Sequence, residues 1–118
     1  MPPPTSLILK ALSVTRLIKE ERHYHKELLH EKQRLQGMRA APETDVYAVK
    51  QQETVVDETL LVMPTVRMKL AVALEALITQ LDAANPADTE ETVMNARNAV
   101  EQAKKVLEED HSKEEEEL

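Results

Sequence analysis

Apolar positions recur along the chain at steps of three, four and seven residues, the spacing of one face of an α-helix rather than the alternation of a strand. Over about residues 6–38, Leu7, Val14, Leu28 and Leu35 fall on one seven-residue ladder, with Ala11, Leu17, Ile18, Tyr24 and Met38 beside it. Glu21 takes the empty rung of that ladder and Glu31 interrupts its neighbour. The spacing alone leaves open whether these two acids set register or lie at the edge of the contact. A second set, Val49, Val56, Met63, Leu70, Leu77 and Ala84, keeps the same step, and Leu60, Leu74 and Leu81 fill a ladder four residues after it. This set crosses Pro64 without a change of phase, although an interior proline has no amide proton and costs a helix about 3 kcal/mol. A loop would have reset the phase, so the pattern predicts one long helix over about residues 43–84, bent at Pro64. Val93, Ala96, Val100, Ala103 and Leu107 predict a third helix, over about residues 86–109, that packs through smaller side chains.

The turns follow from local chemistry. Ala41 precedes Pro42 and is therefore biased away from the helical region, so the chain turns there and the first two helices become antiparallel neighbours. In "AANPADTEE" Asn85 is placed to cap the third helix, with Pro86 at its first position and Asp88, Glu90 and Glu91 near the positive end of its dipole. The expectation is an all-α, elongated antiparallel three-helix bundle with coiled-coil-like packing, its middle helix roughly 60 Å long. Residues 1–110 form the single domain, and residues 111–118, which have no stripe and a run of acids, form a flexible acidic tail.

Composition narrows the function. A chain of 118 residues builds one core, and with no Phe or Trp and two Tyr that core is made of Leu, Val, Ile, Ala and Met. Residues 1–41 hold eight Lys or Arg against four acids, residues 42–107 six against eleven, and residues 108–118 one against seven. The net charge of −7 argues against nucleic acid as the main partner, because duplex binding neutralises several phosphates at once. A basic first helix on an acidic chain suits an acidic protein surface better. No apolar run is long enough to span a membrane, and "MPPPTS" lacks the basic and apolar regions of a secretory signal. Absence of cysteine removes disulfides, thiolate metal sites and thiol catalysis, and fits a reducing compartment. The expectation is a soluble, intracellular protein.

Candidate chemistry is sparse. His23, His25 and His30 contain no pair at the i, i+4 spacing that puts two imidazoles on one helix face. The neighbouring acids Glu20–Glu21, Asp57–Glu58 and Glu90–Glu91 diverge by about 100° around a helix and do not converge on a substrate. No glycine-rich phosphate loop and no nucleophile motif is present. No catalytic residue, metal or cofactor is expected, which leaves helical faces offered to a partner. From periodicity and charge alone the chain is a helical interaction protein, and a generic coiled-coil scaffold or dimerisation module satisfies the same stripes.

Four segments carry more. "VTRLIKEERHYHKE" (Val14–Glu27), "MRA" (Met38–Ala40), "DVYAVKQQETVVDET" (Asp45–Thr59) and "MP" (Met63–Pro64), in this order and spacing, resemble the tubulin-binding cofactor A family. Arg16, Leu17, Lys19 and Glu20 match its Arg-Leu-x-Lys-Glu, and Tyr24, Lys26 and Glu27 its Tyr-x-Lys-Glu. Tyr47, Lys50, Gln52 and Glu53 match its helix-2 pattern, with Gln51 where a second lysine is usual and Thr65 in place of an acid after the proline. The resemblance implies a cytoplasmic, cytoskeleton-associated tubulin chaperone that captures β-tubulin after the chaperonin and before αβ assembly. It implies no enzymatic activity and no bound cofactor, with other tubulin-folding cofactors as further partners and neither nucleic acid nor membrane among them. On this reading the polar faces make the contact, with Arg16, Lys19, Glu20, Arg22 and Lys26 expected from helix 1 and Lys50, Glu53 and Glu58 from helix 2, while Tyr24, on the apolar stripe, belongs to the core.

Overall fold

Short polar side chains open each helix. In the computed structural model, which describes residues 3–83 and 85–109, α1 covers Ser6–Ala40, α2 Val46–Asp82 and α3 Glu90–Glu108. The Thr5 hydroxyl accepts from the Ile8 amide at 3.3 Å, the Asp45 carboxylate from Tyr47 at 3.1 Å, and the Thr89 hydroxyl from Thr92 at 3.1 Å. Each thereby satisfies an amide that has no partner within its helix.

The third cap corrects the expectation at Asn85. Its side chain accepts from Ala87 at 2.9 Å and its carbonyl from Asp88 at 3.1 Å, so Asn85 and Pro86 build a turn and the helix starts four residues after Pro86. Asn85 spends its capping oxygen on that turn, and Thr89 caps the helix immediately before its two acids, Glu90 and Glu91. The other ends also shift. α1 runs to Ala40 rather than Met38, α2 starts at Val46 after its Asp45 cap rather than at residue 43 or 44, and it ends at Asp82. Ala84, the last rung expected of the second ladder, and the tail from residue 110 onward lie outside the described residues.

The element count is as the phase predicts. Pro64 lies inside α2, the helix continues to Asp82, and the proline ring is exposed, so no packed neighbour has to make room for it. Long-range bonds fix the hairpin: Lys10 Nζ and Ser6 Oγ donate to Gln80 Oε1 at one end, and Arg39 pairs with Glu53 at 3.2 Å at the other. The molecule is a rod of 66 × 29 × 19 Å.

Its two halves are built differently. Leu7, Val14, Leu17 and Ile18 of α1 pack with Leu70, Leu74 and Leu77 of α2 and with Ala96, Ala99, Val100, Ala103 and Val106 of α3. Leu28, Leu35, Val56 and Met63, with Tyr24, Val49 and Leu60 partly buried against them, come from α1 and α2 alone. A helix of 19 residues, about 28 Å long, reaches only halfway along helices of 35 and 37. Burial on α3 also differs from the expected stripe. Ala99 and Val106 are in the core, whereas Val93 and Leu107 are only partly buried.

Candidate partner-binding face

The middle of the rod is organised by a pair that sequence spacing does not reveal. Glu21 fills the empty rung of the α1 ladder, is 1% exposed, and accepts from Arg67 Nη1 at 3.1 Å. The same guanidinium donates to the carbonyls of Val106 at 3.2 Å, Leu107 at 2.9 Å and Glu109 at 3.2 Å. Arg67 therefore ties α1 to α2 and closes the carboxyl end of α3, where carbonyls lack helical partners and a cation is favoured. Glu21 is a packing residue, and one face of the molecule is fixed around it.

The predicted contact residues fall in several places on that frame. Arg16, Lys19 and Glu20 line a groove of about 400 Å³ between α1 and α2, together with His23, Tyr24, Val62, Thr65, Val66 and Lys69. Arg22 and Lys26 are exposed on α1 outside this groove. Lys50 and Glu58 are exposed on α2, and Glu53 is held by Arg39 near the turn between the two helices. Tyr24 is partly buried against the second core cluster, as expected. Among the described residues Arg16, Lys19, Arg22, Lys26 and Lys69 make no hydrogen bond or ion pair, so their charge is available to a partner.

Sequence reasoning missed the apolar part of the face. Leu61, Met68 and Val72 are 76%, 69% and 64% exposed, and their spacing of seven and four places them on one outward side of α2. Val62, in the groove, and Thr65 connect that side to the cations of α1. Scattered apolar side chains are ordinary on a protein surface, but three large ones aligned on one helix side are the kind of grouping found at interaction sites. The available signal was surplus: α2 carries more apolar residues than one ladder and its neighbour can bury. Lys69 escaped for a different reason, because only the packing of α2 beside Arg16 makes it part of a cluster.

Among the described residues no group of three or more His, Asp or Glu is placed to hold a metal, and no helix is long and apolar enough to cross a membrane. A rod of helices with open charged and apolar faces is the architecture of a helical binding protein. Comparison with known proteins narrows this class. A model of the family "Tubulin binding cofactor A" matches residues 2–107. Tubulin-specific chaperone A of Saccharomyces cerevisiae is 32% identical over 104 residues, which is 88% of this chain and 95% of that protein. The solved structure of Rbl2p, a β-tubulin binding post-chaperonin cofactor, superposes with a TM-score of 0.81 at 30% identity and covers 89% of this chain and 100% of its own. Tubulin folding cofactor A from Arabidopsis thaliana superposes with a TM-score of 0.76 at 27% identity, over 84% and 92% of the two chains. The chain belongs to the tubulin binding cofactor A family.

Proposed function

We propose that this protein captures β-tubulin released from the cytoplasmic chaperonin and holds it for the later tubulin-folding cofactors that assemble the αβ heterodimer. The contact comprises Arg16, Lys19, Glu20, Arg22 and Lys26 on α1 and Lys50, Glu53 and Glu58 on α2, and the groove adds Lys69. The observation that carries this reading is the union of unpaired cations with the exposed Leu61–Met68–Val72 patch. A subunit awaiting its partner exposes a surface that an obligate dimer later buries, and such surfaces are more apolar than ordinary ones. The patch covers apolar area, and the cations meet the acidic surface beside it. Methionine suits the role because its flexible thioether adapts to a partner that is not yet in its final form.

Replacing Leu61 and Met68 together with serine tests the apolar component. Both side chains are exposed, so the helical circular dichroism signal should stay unchanged while affinity for isolated β-tubulin falls at least tenfold, about 1.4 kcal/mol. Unaltered affinity of the folded variant would place the contact elsewhere.

A further inference from the structure

Beyond Glu109 the chain has nine more residues, among them Asp110 and Glu114 to Glu117, with Lys113 the one Lys or Arg. The point at which α3 delivers this segment is well defined. The Glu109 carbonyl accepts from Arg67 Nη2 at 3.2 Å, and Arg67 Nη1 donates to Glu21 at 3.1 Å, so one guanidinium separates the end of α3 from the residue next to Arg22. α3 and α1 run the same way. Ile8 and Ala11 share a groove with Thr92 and Asn95 near the start of both helices, and Glu21 and Glu109 share Arg67 further on. From Arg22 to Ala40, α1 packs against α2, and among the described residues no third helix lies beside it. Along and just before this uncovered stretch lie Lys19, Arg22 and Lys26, each exposed and without a hydrogen bond or ion pair among the described residues. A nine-residue segment spans at most about 30 Å, the length of about twenty helical residues, so all three cations are within its reach.

We infer that residues 110–118 act as an intramolecular competitor for the cationic face of α1, the face that an acidic partner must use. Two facts choose this occupant. Five acids against one lysine match three unpaired cations, and the covalent tether begins one arginine side chain away from Glu21, the residue that precedes Arg22 in α1. A tether of this length gives an effective concentration in the millimolar range, so a contact too weak to matter between molecules matters within one. The consequence for function rests on the proposed tubulin contact: a partner binds only when its own acidic surface outcompetes the segment, which rejects weakly acidic proteins and favours strongly acidic ones.

The test uses the full chain and a fluorescein-labelled octaglutamate peptide, followed by fluorescence anisotropy at low ionic strength. Neutralising the segment with E114Q/E115Q/E116Q/E117Q should tighten peptide binding at least threefold, and adding R22Q/K26Q should abolish that gain. Equal affinity of the unaltered and neutralised chains overturns the inference. Carbodiimide coupling of the unaltered chain, read by mass spectrometry of the monomer, supplies a second readout. Links from Glu114–Glu117 to Lys19 or Lys26 support the competition, and links confined to Lys104 or Lys105 of α3 refute it. β-Tubulin measured alongside separates the two ideas. If the peptide responds to neutralisation and β-tubulin does not, the competition stands and the placement of the tubulin contact on this face fails.

Discussion

A carboxylate 1% exposed and a guanidinium whose side chain is 24% exposed meet at 3.1 Å in the middle of the rod, where Arg67 also reaches the carboxyl end of α3. Removing one partner of a buried pair costs about 3–5 kcal/mol, whereas replacing both with apolar groups is often neutral. Arg67→Ala should therefore lower unfolding stability in urea by about 3 kcal/mol. Combining Glu21→Leu with Arg67→Met should recover most of the loss, short of the part due to the α3 carbonyls that Arg67 caps. A double variant as unstable as the sum of its singles would show that the two residues contribute independently and that the pair itself adds nothing. Glu21 was visible in the sequence as a gap in a ladder, but its partner was not, because Arg67 lies 46 residues away and has no unusual neighbours. Gln52 was hidden in the same way. It is 8% exposed and donates from Nε2 to the Glu31 carbonyl at 3.0 Å, a role that no periodicity of apolar residues can announce. Apolar residues advertise burial by their spacing, and buried polar residues do so only through a partner.

Elements were more legible than residues. Seven-residue ladders on α1 and α2 predicted most of the buried stripe, since Leu7, Val14, Leu28, Leu35, Val56, Met63, Leu70 and Leu77 are all 4% exposed or less, while Val49 is only partly buried. Their unbroken phase also showed that Pro64 does not divide α2. Ends of elements were less legible, because two side chains competed to cap α3 and only the turn at Asn85 decided between them. The α3 stripe shifted toward Ala99 and Val106 because its small side chains discriminate weakly between adjacent faces. Close packing on those alanines gives a prediction: Ala103 is fully buried, and Ala103→Leu should destabilise the bundle by about 1–3 kcal/mol in thermal or urea unfolding. A gain in stability would mean that the interface between α3 and the hairpin has room to spare. Pro64→Ala should act in the opposite direction, since alanine restores an amide donor in a helix interior, and a gain of up to about 3 kcal/mol is expected. If the proline also curves the rod, the same change should lengthen the maximum dimension in small-angle scattering. An unchanged scattering profile denies it that role.

At the scale of the whole molecule the rod divides its work. One half, packed by all three helices, supplies most of the core, and the other half, a two-helix hairpin, leaves more of α1 and α2 open to a partner. Family and architecture were legible in the sequence through four ordered motifs and the helical phase. The binding face was legible only in its charged part, because surface apolar residues on α2 look like core residues until the helices are packed. If the cations of α1 steer capture, raising salt from about 0.05 to 0.5 M should weaken β-tubulin binding chiefly through slower association, while the apolar patch retains part of the affinity. Salt-independent association would remove the cations from the encounter. The central claim, capture of β-tubulin before it joins its partner, is tested most directly by size-exclusion chromatography with light scattering on the purified protein mixed with β-tubulin from dissociated heterodimer or with intact αβ dimer. Co-elution with free β-tubulin alone, at a defined stoichiometry, is the predicted result. Co-elution with neither form, or equal binding to the intact dimer, would contradict it.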